Sequence, residues 1–156
     1  MSPPTIILSI NAGSSSLKVS VYKTTASETS SSVPQKDPTS NEDVSPDPTQ
    51  LAVCTIEGLT APPVKVKYNR PSPSPEVEAK TIAKELPEGV KNQEDAFRAI
   101  LDILLEDDGL REVKSKEDIR YAVHRIVHGG PLFEGPQVLD EEKLKKIEQL
   151  SDLAPL

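Results

Sequence analysis

Apolar positions alternate along the first part of this chain and recur at helical spacing near its middle. Ile6, Leu8 and Ile10 alternate with Ile7 and Ser9, and Val19 and Val21 alternate with Ser20 and Tyr22. Alternation of this kind predicts two strands, buried on one face or on both. Leu51 to Leu59 resumes a strand pattern, and the strict alternation of Val64 to Tyr68 predicts its hairpin partner. Glu76 to Leu86 fits a charged helix or a strand equally well. Phe97, Ile100, Leu101 and Leu104 then recur at a period near 3.6 and predict a core-facing helix. Asn92 can cap it, Glu94 and Asp95 suit the positive end of its dipole, and Asp107-Asp108-Gly109 ends it. Ala122 to Val127 is β-branched and apolar up to Gly129-Gly130, which predicts another strand. Asp140 can cap a last helix with a Leu144, Ile147, Leu150 stripe. The pattern is α/β, without an internal repeat.

Between the second and third strands the composition changes. Residues 24–50 carry Pro34, Pro38, Pro46 and Pro48 among serines, threonines and acids, with too few apolar residues for a core. They predict a disordered segment or a long surface loop, with a phosphorylated regulatory tether as the alternative. Pro71, Pro73 and Pro75 mark a second break. Aromatic content of 3% with no Trp predicts a thin core for 156 residues. A net charge of −7 argues against a nucleic-acid or acidic-membrane surface, either of which wants a basic patch. The single Cys54 excludes an intrachain disulfide and fits a reducing compartment. The opening MSPPTIILSIN has no basic region, and its apolar run is short for a signal peptide or a span, so the cytoplasm is the expected location.

The first candidate chemistry lies in Asn11-Ala12-Gly13-Ser14-Ser15-Ser16-Leu17-Lys18, read as a polar turn between strands. Gly13 can take a positive φ and lets a ligand approach the backbone. Ser14, Ser15 and Ser16 set hydroxyls beside backbone N–H groups, an arrangement that cradles phosphate oxygens. Lys18 adds a mobile point charge, and Asn11 a neutral oxygen that can touch a hydrated Mg²⁺. A plain serine-rich hairpin turn accounts for the same string. The second candidate is Tyr121-Ala122-Val123-His124-Arg125-Ile126-Val127-His128-Gly129-Gly130. On a strand Val123, Arg125 and Val127 share a face, where a guanidinium fork beside a methyl-contacting valine suits a short carboxylic acid. An ion pair within the chain would occupy Arg125 equally well. His124 and His128 on that strand stand about 13 Å apart, too far to share a metal ion.

Three segments together resemble the acetate kinases. Asn11 to Lys18 reproduces the family's NAGSSSLK after an apolar strand. His124 to Gly130 resembles its HRVVHGG, followed by Phe133 and Val138 to Leu144. Leu150 to Leu156 is similar to a helix ending in ELAPL. The resemblance is to a eukaryotic or fungal-type member with an insertion. It implies an actin-like, sugar-kinase-like (ribonuclease H-like) ATPase domain, partial here, with a mixed sheet and flanking helices. Residues 1–156 would be the N-terminal part of the first of two domains, with the second domain absent. The implied reaction is reversible phosphoryl transfer from ATP to acetate, giving acetyl phosphate and ADP, with Mg²⁺ accompanying the nucleotide. The family's substrate arginine falls on Arg125 and a valine of its acetate pocket on Val127. Ser14, Ser16 and Lys18 fall on phosphate positions, and Asn11 on Mg²⁺–phosphate positioning. The catalytic residues are expected beyond Leu156, so the full-length parent, expected as a homodimer, would carry the activity and these residues alone would turn over poorly. A non-catalytic truncated paralogue that binds nucleotide or a full-length partner is the rival reading, and an inert fragment a third. Val123 stands where the family usually has glycine, and either narrows the pocket or packs beneath it.

Overall fold

A computed structural model describes residues 4–24, 48–126, 133 and 135–151. They divide into two units, residues 1–124 and 125–156. The first unit is built on one six-stranded sheet. Its strands are β1 (Thr5–Ala12), β2 (Ser16–Thr24), β3 (Thr49–Glu57), β4 (Lys65–Arg70), β5 (Lys80–Glu85) and β6 (Ile119–His124), in the spatial order β5-β4-β3-β2-β1-β6. All neighbours are antiparallel except β1 and β6, which run parallel, so the sheet is mixed. Helix α1 (Gln93–Leu105) packs against β2 and β3.

The alternation read from the sequence sets the core face. Ile6 and Leu8 of β1, Leu17, Val19 and Val21 of β2, Cys54 and Ile56 of β3, and Val66 and Tyr68 of β4 are buried. Ala96, Ile100 and Leu104 of α1 are buried against that face, while Phe97 and Leu101 pack at its margin. Asn92 caps the helix: its Oδ1 accepts the Asp95 N–H at 2.9 Å, and Asp95 in turn accepts the Lys91 N–H at 3.1 Å. The sheet does not end its polar content at the surface. Arg70 shares the inward parity of Val66 and Tyr68 and is only 5% exposed.

Several elements depart from the expected bounds. The turn expected over Asn11 to Lys18 shrinks to Gly13, Ser14 and Ser15, because Asn11 pairs with Lys18 and Ala12 with Leu17 across the β1–β2 ladder. Gly13 does not have a positive φ; among the described residues only Gly58 and Gly89 do. The open segment 76–86 contains β5. The strand expected from Ala122 begins earlier, at Ile119, and ends at His124, so Arg125 follows it rather than lying within it. Of residues 24–50, Thr24 closes β2 and Thr49 and Gln50 open β3, while 25–47 lie outside the described residues.

The second unit contains α2 (Glu141–Ser151), capped by Asp140, whose Oδ1 accepts the Lys143 N–H at 2.8 Å. That bond comes first among those holding the Asp140 carboxyl below its ordinary range. Leu144 is exposed, and Ile147 and Leu150 are half-buried. Among the described residues no helix is long and apolar enough to cross a membrane.

Candidate functional site

Residues 11–18 close one end of the β1–β2 hairpin. Side chains alternate across a strand, and directly opposed residues point to the same face. Asn11 and Lys18 are opposed in the ladder, and Ser16 lies two residues before Lys18. The three therefore share the face opposite Leu17 and Val19, which point into the core. Opposed Cβ atoms lie about 5 Å apart, within common reach of one phosphate group. Asn11 and Lys18 are exposed and Ser16 is half-buried. Ser14 is exposed at the tip.

The tip is tightly held. Gly13 N–H donates to the Ser16 carbonyl at 2.8 Å. A Cβ on Gly13 would stand 3.2 Å from Ser16 Oγ, so glycine here makes room for the hydroxyl rather than supplying an unusual backbone angle. The Ser15 carbonyl accepts from both Gly58 and Leu59 N–H, each at 3.1 Å. Gly58 can present that pair because its φ is 87°, and a Cβ there would meet the Pro63 carbonyl oxygen at 2.6 Å. Gln93, the first residue of α1, donates Nε2 to the Gly13 carbonyl at 3.0 Å and to the Ser14 carbonyl at 3.2 Å. Gln93 was not legible as a site residue: 80 positions separate it from Gly13, and no local pattern marks it.

The remaining predicted residues fall elsewhere. The parallel register pairs Ile10 with His124, so β6 ends two residues before β1 does. Arg125 opens the second unit, and Val127 and His128 lie outside the described residues. Val123, on β6, is 57% exposed. Among the described residues no group of three or more His, Cys, Asp or Glu side chains could hold a metal ion. A metal on the hairpin would therefore meet only neutral oxygens, those of Asn11 and the serine hydroxyls. This suits Mg²⁺ that arrives on phosphates and keeps its waters, and it does not suit a dedicated protein cage.

A second polar assembly lies on the other side of the sheet's logic, inside the core. Asp107, 2% exposed, accepts from Tyr68 Oη at 2.6 Å and from Arg70 Nε at 2.8 Å on Oδ2. Its Oδ1 accepts the Gly109 N–H at 3.0 Å and faces Lys80 Nζ at 3.4 Å. Arg70 spends its remaining nitrogens on the Glu78 and Pro71 carbonyls. Burial pushes the Asp107 carboxyl up, but the bonds from Tyr68 and Arg70 outweigh it and hold the group below its ordinary range. Burial first, then the Asp107 bond, pushes the Tyr68 phenol far up. Burial likewise pushes the Cys54 thiol up to about 12, which leaves it inert. No buried side-chain polar atom among the described residues lacks a partner, so this cluster has nothing left for a ligand.

Comparison with known proteins agrees along almost the whole chain. The profile described as "Acetokinase family" matches residues 72–156. A "Probable acetate kinase" from Chaetomium globosum is 42% identical over 154 residues, which is 97% of this chain and 28% of that protein. One from Neurospora crassa is 39% identical over 153 residues, 97% of this chain and 27% of that protein. The crystal structure of Porphyromonas gingivalis acetate kinase superposes with a TM-score of 0.63 at 27% identity, covering 97% of this chain and 31% of that one. The chain thus spans under a third of the length of the relatives it matches.

Proposed function

This chain belongs to the acetokinase family, and from that we propose that it supplies the phosphate-gripping lip of an ATP:acetate phosphotransferase. Its mixed sheet is that of the actin-like ATPase fold of the acetate and propionate kinases on which it superposes. The observation that carries the proposal is the common face of Asn11, Ser16 and Lys18 beside the exposed Ser14. Hydroxyls, a neutral amide and one ammonium at the end of a parallel-paired strand fit a polyphosphate better than they fit an apolar or cationic ligand.

In this reading Ser14 and Ser16 donate to phosphate oxygens, and Lys18 offsets their charge. Asn11 would hold Mg²⁺ through its oxygen or a water, and the bound ion would screen the phosphate charge. Arg125, with Val127 two residues on in sequence, grips the carboxylate of acetate and later the transferred phosphoryl. The support for Arg125 is that it lies in the part of the chain that the family profile matches, in the segment that resembles the family's HRVVHGG. Transfer is in line from the γ-phosphoryl of ATP to a carboxylate oxygen, which forms acetyl phosphate and releases ADP. Catalysis is then chiefly positioning and charge neutralisation. The groups that act on the reacting atoms directly are proposed to lie beyond Leu156, in the same cytoplasmic polypeptide.

The test is acetate-dependent acetyl phosphate formation by the full-length gene product. Arg125→Ala should remove about 2–5 kcal/mol of transition-state stabilisation, the size of one buried charged contact. This is a fall of about 30-fold or more in turnover. A fall of less than about threefold would take Arg125 out of the site, on the same rate scale.

A further inference from the structure

Three successive carbonyls at the hairpin tip are spent on the body of the first unit. Gln93 Nε2 takes those of Gly13 and Ser14, and the Gly58 and Leu59 amides take that of Ser15. In a trans peptide the C=O and the following N–H point in opposite directions. The only cis bond among the described residues is Pro62–Pro63. When Gln93 pulls the Gly13 and Ser14 carbonyls inward, the N–H groups of Ser14 and Ser15 are therefore turned outward. Among the described residues neither amide has a backbone acceptor.

We infer that Gln93 is the positioning residue of the phosphate turn: by gripping two successive carbonyls it presents the Ser14 and Ser15 amides as a donor pair for a phosphate. The inference rests on the phosphate reading of residues 14–18. Paired outward amides form a concavity that anions occupy. A short three-residue tip has many alternatives to this arrangement, and Gln93 selects one of them from 80 positions away. The grip is itself anchored, because Asn92 fixes the start of α1 through the Asp95 amide. Gln93 touches no reacting atom and acts only through the turn.

The test uses the full-length gene product with Gln93→Met, which keeps length and helix compatibility and removes the donor. Affinity for Mg·ATP is read by isothermal titration, KM for acetate by acetyl phosphate formation, and stability by thermal melting. Mg·ATP binding should weaken about tenfold, the size of two lost neutral hydrogen bonds, with the acetate KM unmoved and the protein still melting cooperatively. Unchanged Mg·ATP affinity overturns the role of Gln93. A loss of nucleotide affinity matched by an equal rise in the acetate KM, or by loss of the cooperative melt, also overturns it, since Gln93 would then be a general tether. Lys18→Ala separates the two readings. If Lys18→Ala binds Mg·ATP as tightly as the unsubstituted protein, or if the latter does not bind it, the phosphate turn itself fails. If Lys18→Ala weakens binding and Gln93→Met does not, only the positioning claim fails.

Discussion

The hairpin tip and the Asp107 cluster are both polar, both in the first unit, and built from opposite rules. Inside the cluster each donor has an acceptor within the chain: Tyr68 and Arg70 on Asp107, the rest of Arg70 on the Glu78 and Pro71 carbonyls. At the tip the carbonyls are taken by donors of the chain while Ser14 and Lys18 are exposed and the Ser14 and Ser15 amides have no backbone acceptor. A closed network fastens the end of α1 to β4 and can offer a ligand nothing. A half-closed one keeps its shape and retains donors. Polar residues read as a site only when the accounting is left open on one side.

The widest separation between the two regions should appear in stability. Asp107→Ala strands a buried guanidinium and should cost about 3–5 kcal/mol in urea unfolding, as breaking a buried pair does. Ser14→Ala, at the exposed tip, should stay within about 0.5 kcal/mol of the unsubstituted chain. Equal losses from the two would break the distinction. Gly58→Ala should fall between them. It forces an alanine to φ 87° with its Cβ 2.6 Å from the Pro63 oxygen. A strained position of this kind costs about 1–3 kcal/mol, and urea unfolding reads it. Stability equal to that of the unsubstituted chain would show that the Gly58–Pro63 loop yields without cost and does not brace the tip.

Strand parity made most of the first unit legible. The alternation of Ile6 to Ile10, Val19 to Val21 and Val64 to Tyr68 fixed which faces are buried, because a one-residue slip would expose every apolar side chain. Arg70 falls inward two residues after Tyr68, a core position that its charge hid in the sequence, and a buried guanidinium demands an acid. Which acid it takes could not be read, since Asp107, Asp108 and the acids of 76–88 all carry the same local signal. Asp107 read as a helix terminator and is instead the hub. The hairpin residues Asn11, Ser14, Ser16 and Lys18 were legible as a candidate set because they fall within eight successive residues. Gln93 was not, because its bond to Gly13 depends on how α1 docks and on nothing in its own neighbourhood. Tyr121 and Val123 on β6 are half exposed or more, and the apolar patterning that predicted a strand from Ala122 carried no sign of which of its faces is covered.

The finest test of the comparison is acid titration, because only the closed network contains a carboxylate whose ionisation is tied to folding. The Asp107 carboxyl lies below its ordinary range in the folded chain, with the Tyr68 and Arg70 bonds overcoming the effect of burial. A depressed folded value means that the ionised form favours folding. The contribution is whole above the unfolded value of about 3.9 and is lost as pH falls from there through the folded value. Asp107→Asn keeps the shape of the side chain and cannot ionise, so it should unfold at lower urea than the unsubstituted chain near neutrality. That difference in midpoint should narrow as pH drops below about 3.9, since the unsubstituted chain then loses the same charge. Ser14→Ala should track the unsubstituted chain at every pH. A midpoint difference for Asp107→Asn that stays constant down the acid limb would mean the carboxylate does not hold Arg70 and Tyr68 by its charge, and the two polar regions would then differ only in depth.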